Sequence, residues 1–235
     1  MQPDPLMGAD PRDRAIVERS LPYTMTGPAR LLALAEAVGH LVARGVPGAF
    51  AECGVWRGGS VLAMALALAE AGETARDLWL YDTFEGMTAP TEADVSEHDP
   101  PALETWQAAQ AQGTRAWPEL FDDAQSTEAA VRSTVLSSGY PEDRVHLVAG
   151  PVEQTIPAAT PGPLALLRLD TDWYESTRHE LEHLYPLLSP GGVLIVDDYG
   201  HWQGARQAVD EYFVAHPPRP LLVPVDYTCR LAVRA

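Results

Sequence analysis

The chain has 235 residues, a formal net charge of −17 and 46% apolar residues. This length fits one large domain with a full apolar core, and the negative charge disfavours nucleic acid as a partner because it repels phosphate backbones. The two cysteines, Cys53 and Cys229, exclude a disulfide framework and fit a reducing cytoplasm. We find no apolar run that could span a membrane and no secretory signal, so we expect a cytoplasmic chain without a membrane segment.

Two segments precede the predicted sheet. Residues 1–20 are polar and contain prolines, so we expect a flexible arm. Residues 21–45 follow, and an amphipathic helix is predicted over 29–44 with Thr26 as its N-cap. The residues just before this helix form either a hydrophobic staple or a lid over a ligand: Tyr23, Thr24 and Met25.

The first predicted strand, 49–53, runs into the pattern E-x-G-x-x-x-G-G-S and then into an apolar helix over 61–71. Glycines such as Gly54 and Gly58 let the chain turn sharply and let a ligand approach the backbone closely. The helix N-terminus that follows favours an anionic group. Trp56 stands where a dinucleotide fingerprint requires glycine, so the pattern is typical of the turn that binds S-adenosylmethionine (SAM) in methyltransferases. A turn that serves only helix packing is the alternative.

The second predicted strand, 77–82, ends in an acid, Asp82. An acid at this strand end can accept the ribose hydroxyls of a nucleoside cofactor, or it can cap the following turn. Residues 88–124 then lack regular patterning and hold prolines, many acids, Trp106 and Trp117. We predict an active-site loop over the carboxyl ends of the strands, with a mobile acidic insertion as the alternative.

The rest of the chain alternates predicted strands and helices. Strands are predicted at 144–148, 164–169, 193–196, 221–225 and 230–233, and helices at 126–138, 151–157 and 175–188 and up to about residue 216. The alternation predicts an α/β fold, with helices on both faces of a mostly parallel sheet in a single domain over 1–235. Because a C-terminal antiparallel hairpin is typical of SAM methyltransferases and not of dinucleotide domains, we predict a class I SAM-dependent methyltransferase (Rossmann-like) fold with seven strands.

Acids follow the predicted fourth and fifth strands at the point where each strand ends. Asp170 follows one strand, and Asp197 and Asp198 follow the other, so the three carboxylates should meet at one edge of the sheet. Uncompensated, they would repel one another, and a hard divalent cation such as Mg²⁺ removes the conflict. Such a cation can hold a substrate hydroxyl and lower its pKa, with Asp170 as the predicted base. Asp172 and His201 are alternative bases, and separate capping roles for the acids are the structural alternative.

The sequence resembles the macrocin O-methyltransferase (TylF-like) family of Mg²⁺- and SAM-dependent enzymes, which methylate sugar or related hydroxyls of natural products. The matching stretches are 23–25, 52–60, 81–87, 139–145, 167–177 and 189–199. The resemblance implies SAM and Mg²⁺, or another divalent cation, as cofactors. It places near SAM the residues Glu52, Ser60, Asp82, Thr83 and Phe84, with Tyr23 on a segment that closes over the site. It implies as metal ligands Asp170, Asp197 and Asp198, with Asp170 also as the base.

The resemblance predicts the acceptor only as a class. We expect a hydroxyl, above all a sugar hydroxyl, of a glycosylated secondary metabolite such as an antibiotic, and the resemblance alone suggests a homodimer. A catechol or phenol is the nearest alternative acceptor. A nicotinamide-dependent oxidoreductase is disfavoured by Trp56, and a non-catalytic SAM-binding protein is disfavoured by the intact acid cluster. The family often has glycine at the position of Thr171, and 88–124 has no clear match, so we expect this loop and the arm to set acceptor choice.

Overall fold

The computed structural model describes residues 4–121 and 124–235, which form an α/β structure around a seven-stranded sheet. The strands are β1 (Ala49–Cys53), β2 (Leu78–Asp82), β3 (Val145–Ala149), β4 (Leu164–Leu169), β5 (Leu188–Val196), β6 (Val223–Pro224) and β7 (Arg230–Val233). The helices are α1 (Pro11–Ser20), α2 (Pro28–Ala43), α3 (Gly59–Glu70), α4 (Ala102–Gln112), α5 (Glu128–Leu136), α6 (Val152–Thr155), α7 (Tyr174–His183) and α8 (Gln203–Ala215).

The strands lie in the order β3-β2-β1-β4-β5-β7-β6. The first five run parallel, and β7 lies antiparallel to both β5 and β6. The prediction of a mostly parallel seven-stranded sheet with a C-terminal antiparallel hairpin is therefore confirmed. Every residue of β4 is buried, as expected for a central apolar strand that helices cover on both faces.

The register of the central strands brings their carboxyl ends together. Cys53 of β1 pairs with Leu169 of β4, and Leu169 pairs in turn with Val196 of β5. The next residues along the chain are Gly54, Asp170 and Asp197, so a glycine and two acids meet at one edge of the sheet. Apolar side chains from both faces hold this register, with α2 and α3 in one core cluster and α7 and α8 in the other.

The expectation of a flexible N-terminal arm is wrong for residues 11–20, which form α1. Asp10 caps this helix by accepting a hydrogen bond of 2.8 Å from the backbone N–H of Arg12. Ile16 and Val17 are buried against the core that α2 and α3 share. Two apolar residues on one face were enough to dock a helix that is otherwise polar. Residues 1–3 lie outside the described residues.

The predicted irregular stretch 88–124 also contains a helix, α4, so this expectation is corrected. Its sequence is rich in Ala and Gln, which are good helix formers, and the helix ends at Gly113 in the left-handed conformation. The prolines at 100 and 101 suggested a loop, but Pro101 stands at the N-cap, where it breaks no helical hydrogen bond. Residues 122 and 123 lie outside the described residues. Within the described parts of the chain, no helix combines the length and apolarity needed to cross a membrane.

Candidate active site

A cleft crosses the carboxyl edge of the sheet between the glycine turn and the loops that follow β2 to β5. Its walls are formed by the chain before α2, the turn after β1, and the segments that begin after β2, β3, β4 and β5. The residues that line it include Thr24, Met25, Arg30, Gly54, Ser60, Asp82, Thr83, Gly150, Glu153, Asp170, Asp172, Asp197 and Asp198. Six of these are acids and one is an arginine, so the cleft suits a cationic ligand better than an anionic one.

Three of the acids that line the cleft lie close to one another. One carboxylate oxygen each of Asp170, Asp197 and Asp198 lies within 4.8 Å of the other two. Oxygens bound to one divalent cation at about 2.0–2.6 Å lie no more than about 5 Å apart, so this spacing fits a single ion. The donor set consists only of carboxylates, which suits Mg²⁺ or Ca²⁺ rather than a soft metal.

A buried arginine neutralises part of this cluster, which the sequence analysis did not anticipate. Nη1 of Arg168 donates to Oε1 of Glu52 at 2.5 Å and to Oδ2 of Asp170 at 2.6 Å, and Nη2 donates to Oδ1 of Asp197 at 2.5 Å. Nη2 also donates to the hydroxyl of Thr26 at 2.9 Å. Arg168 is the next-to-last residue of β4 and is almost fully buried. Thr26 therefore orients this arginine, and the N-cap of α2 is Gly27 rather than Thr26 as predicted.

A second arginine reaches the same acids from α2. Arg30 donates to Oδ2 of Asp197, and its Nε donates to Asp226 at 2.6 Å. Asp197 thus has one arginine on each carboxylate oxygen. The negative charge of the acid cluster is therefore compensated in part, contrary to the expectation from the sequence, because Arg168 and Arg30 pair with Glu52, Asp170 and Asp197.

Asp198 and Asp172 keep no arginine partner within 4–121 and 124–235. Burial raises the pKa of Asp198, and the carboxylates of Asp172 and Asp170 raise it further. Burial likewise raises the pKa of Asp172 to about 6, although a hydrogen bond with Asp198 opposes the rise. Two buried carboxyl groups without a cationic partner are most stable when a proton or a cation lies between them.

Asp170 is the least buried of the three clustered acids, with 26% of its side chain exposed. Burial raises its pKa, Arg168 opposes the rise, and Asp197 and Glu52 add to it. Only Oδ2 is engaged by Arg168. Oδ1 takes no hydrogen bond from the described residues, so it is available to a cation or to a hydroxyl proton.

Asp82 is held by the backbone around it. Its Oδ2 accepts hydrogen bonds from the N–H groups of Val55 at 2.7 Å and Trp56 at 3.0 Å, and Oδ1 accepts one from Phe84 at 2.8 Å. The bond from Phe84 corresponds to the capping alternative of the sequence analysis, and the bonds from Val55 and Trp56 tie the end of β2 to the glycine turn. Asp82 also lines the cleft, so its remaining lone pairs can still face a ribose.

The glycines of the turn admit neighbouring backbone. Gly54 has φ +80, and a Cβ there would stand 2.0 Å from the carbonyl oxygen of Asp170. A Cβ on Gly59 would stand 2.6 Å from the carbonyl carbon of Tyr23. The two glycines therefore let the β4 end and the chain before α2 close around the cleft, whereas the sequence analysis had assigned the close approach to a ligand.

The cleft includes most but not all of the predicted site residues. Predicted residues that line it are Thr24, Met25, Gly54, Ser60, Asp82, Thr83, Asp170, Asp197 and Asp198. Predicted residues that do not line it are Tyr23, Glu52, Gly58 and Phe84. Glu52 is buried behind the lining and accepts a hydrogen bond from Arg168. Gly58 is the left-handed N-cap of α3, and Phe84 packs against the core.

His201, an alternative base, is turned to other partners outside the cleft lining. Its Nε2 lies 2.6 Å from Asp99, and its Nδ1 lies 2.9 Å from the hydroxyl of Tyr227. Asp172, the other alternative, lines the cleft and has φ +67, a strained conformation for a residue other than glycine. The geometry therefore favours Asp170 or Asp172 as the base over His201.

Neither Arg168 nor Arg30 was predicted as a site residue from the sequence. A signal for Arg168 was present, because an arginine inside an otherwise apolar central strand must find a buried anion. For Arg30 no such signal existed, since its acid partners lie 167 and 196 residues away along the chain.

Comparison with known proteins identifies similar sequences over most of the chain. The sequence model of a family described as Macrocin-O-methyltransferase (TylF) matches residues 4–232. The 8-demethyl-8-(2,3-dimethoxy-alpha-L-rhamnosyl)-tetracenomycin-C 4'-O-methyltransferase of Streptomyces olivaceus is 38% identical over 212 residues, which cover 87% of this chain and 72% of that protein. Mycinamicin III 3''-O-methyltransferase of Micromonospora griseorubida is 33% identical over 204 residues, which cover 87% of this chain and 75% of that protein.

Among solved structures, the O-methyltransferase NovP is similar with a TM-score of 0.74 and 31% identity, over 90% of this chain and 82% of that one. This similarity confirms the class I SAM-dependent methyltransferase fold predicted from the order of strands and helices. The cleft of this chain occupies the edge of the sheet at which ligands bind in open α/β folds.

Proposed function

Because the chain belongs to the macrocin-O-methyltransferase (TylF) family of SAM-dependent O-methyltransferases, we propose that it methylates a sugar hydroxyl of a glycosylated natural product and that it requires a divalent cation. The observation that carries the metal requirement is that one carboxylate oxygen each of Asp170, Asp197 and Asp198 lies within 4.8 Å of the other two in the cleft. Both relatives are named O-methyltransferases, and the name of the Streptomyces olivaceus protein specifies a rhamnosyl compound, which supports the acceptor class.

In this proposal Asp170, Asp197 and Asp198 would hold the cation, which would lower the pKa of the acceptor hydroxyl. SAM would supply the methyl group: the new O–C bond would replace the S–C bond of SAM, and S-adenosylhomocysteine would leave. The chain's own residues do the rest. Arg168 and Arg30 fix the carboxylates of Asp170 and Asp197, so these acids need not reorganise when ligands bind. Oδ1 of Asp170 takes the hydroxyl proton, and Asp172 on the same turn is the alternative base.

The remaining cleft residues bind and orient. We propose that nine residues bind SAM. Six of them line the cleft: Thr24, Met25, Gly54, Ser60, Asp82 and Thr83. The other three, Glu52, Gly58 and Phe84, lie behind the lining and support it. Tyr23 belongs to the segment whose backbone closes against Gly59. A homodimer, a cytoplasmic location and the absence of a nucleic-acid partner are also proposals, supported by the family, by the two buried free cysteines and by the acidic charge.

The test is an acceptor screen by mass spectrometry. The enzyme is incubated with SAM and a panel of deoxysugar glycosides, catechols and free sugars, with Mg²⁺, with EDTA, and with EDTA followed by excess Mg²⁺. We expect a glycoside to gain one methyl group, the gain to be lost in EDTA, and Mg²⁺ to restore it. Methylation that is undiminished in EDTA would contradict the metal requirement, and methylation confined to catechols would contradict the acceptor class.

A further inference from the structure

The insertion between β2 and α5 is attached to the rest of the molecule close to the acid cluster. The indole N–H of Trp173 donates to the carbonyl of Thr88 at 3.1 Å, and the N–H of Gln203 donates to the carbonyl of Val95 at 2.9 Å. Trp173 is the N-cap of α7, and Gln203 is the first residue of α8. α7 begins after the turn that carries Asp170 and Asp172, and α8 begins after the turn that carries Asp197 and Asp198.

Asp94 lies between these two attachments and is 1% exposed. Its Oδ1 accepts a hydrogen bond of 2.6 Å from the N–H of Tyr174, the first residue of α7. Its Oδ2 accepts bonds from the N–H of Thr91 at 2.6 Å and from the Thr91 hydroxyl at 2.9 Å. No arginine pairs with Asp94 in the described parts of the chain, so backbone N–H groups and the positive end of α7 stabilise this buried charge.

The start of α8 is shaped around the same carboxylate. A Cβ on Gly204 would stand 1.9 Å from Oδ1 of Asp94 and 3.1 Å from Cβ of Tyr174. Only glycine lets α8 approach α7 and Asp94 so closely. One carboxylate of the insertion is therefore packed between the first turns of both helices.

We propose that Asp94 is a positioning residue that sets the two acid-bearing turns and the insertion in one arrangement. Tyr174 is two residues from Asp172, whose φ of +67 lies in the left-handed region and is favoured by contacts that restrain the turn. The bond from Tyr174 to Asp94 is one of those restraints. The tests of this proposal that measure activity rest on the proposed function, whereas the test by amide hydrogen exchange does not.

The test compares Asp94→Ala and Asp94→Asn with Glu92→Ala as the matched control. Glu92 lies on the same insertion and loses the same charge, but its side chain is exposed. Without acceptor, we expect amide hydrogen exchange over residues 86–101 to speed up at least about tenfold in Asp94→Ala and to stay within about twofold of wild type in Glu92→Ala. Asp94→Asn should lie between them, because the amide oxygen still accepts from Tyr174.

With an acceptor in hand, kcat/KM for the acceptor should fall about 10- to 100-fold in Asp94→Ala while the Kd for SAM stays within about twofold. An unchanged kcat/KM overturns the proposal. A parallel loss of SAM binding also overturns it, because that result would indicate a purely structural role.

A double variant separates positioning from general damage. Gly204→Ala should speed exchange over residues 86–101 because its methyl group displaces Asp94. In the Asp94→Ala background the same substitution should add less than it does in the wild type, since the carboxylate is gone and only the 3.1 Å approach to Cβ of Tyr174 remains. Simple addition of the two effects would refute the proposal. This readout needs no acceptor, so it remains valid even if the proposed function fails.

Discussion

Replacement of Arg168 by methionine removes the cation from a cluster of buried carboxylates. Arg168 is 2% exposed, as is its partner Glu52, and its partner Asp197 is 4% exposed. Asp197 keeps Arg30 in the variant, and Asp170 is partly exposed, so the uncompensated charge falls mainly on Glu52. Removal of one partner of a buried ion pair costs about 3–5 kcal/mol. At about 2–4 °C per kcal/mol for a chain of this size, Arg168→Met should lower Tm by roughly 6–20 °C near neutral pH.

The effect should depend on pH in a definite direction. Burial raises the pKa of Glu52 to about 7, although Arg168 lowers it, and loss of Arg168 will raise it further. A carboxyl whose pKa is raised on folding binds more protons in the folded state than in the unfolded state. The free energy of unfolding of the protein therefore falls as pH rises through that pKa. In the variant, protonation of Glu52 relieves the unpaired charge at low pH. The destabilisation should therefore be smaller at about pH 5.5 than at about pH 8.

Urea denaturation followed by circular dichroism at the two pH values measures this difference. The matched control is Arg178→Met, which removes an exposed arginine that also pairs with two acids, Glu175 and Glu182. It should change the free energy of unfolding by no more than about 1 kcal/mol. A loss below about 1 kcal/mol in Arg168→Met at about pH 8, or a loss that does not shrink at lower pH, would refute the reasoning.

Three further predictions follow from the site. Asp198→Asn should abolish methyl transfer and leave the Kd for SAM, measured by calorimetry, within about twofold of wild type. It should also raise the Tm of the metal-free protein, because burial and neighbouring carboxylates penalise the Asp198 charge. An unchanged turnover would contradict this prediction. Gly54→Ala should destabilise the fold by at least about 2 kcal/mol, because its Cβ would meet the Asp170 carbonyl at 2.0 Å, and a denaturant midpoint equal to wild type would count against it. The free energy of unfolding of the metal-free wild type should fall as pH rises from about 5 to about 8, since the raised pKa of Glu52 lies in that window, and a rise over the same range would show that other groups dominate.

Much of the fold could be predicted because its signals are local. β1 and β4 have the bounds that their apolar runs suggested, and the TylF family and SAM-dependent methyltransferase class inferred from the motifs are confirmed. The meeting of Asp170 with Asp197 and Asp198 also followed from local order, since parallel neighbouring strands end at one edge.

The interactions that complete the site depend on tertiary structure. Arg30 on α2 meets Asp197 and Asp226 only after the sheet has formed, and Arg168 reaches Glu52 across the β1–β4 pair. α1 and α4 were missed because polar and proline-containing segments resemble loops until a few apolar contacts dock them.

Metal binding by the acid cluster is the central claim, and Mn²⁺ titration followed by electron paramagnetic resonance tests it without an acceptor. We predict about one bound Mn²⁺ per wild-type chain, loss of that binding in Asp198→Asn, and retention in Asp99→Asn, whose acid lies outside the cluster. Wild-type protein that binds no Mn²⁺, or binding that survives in Asp198→Asn, would contradict the account.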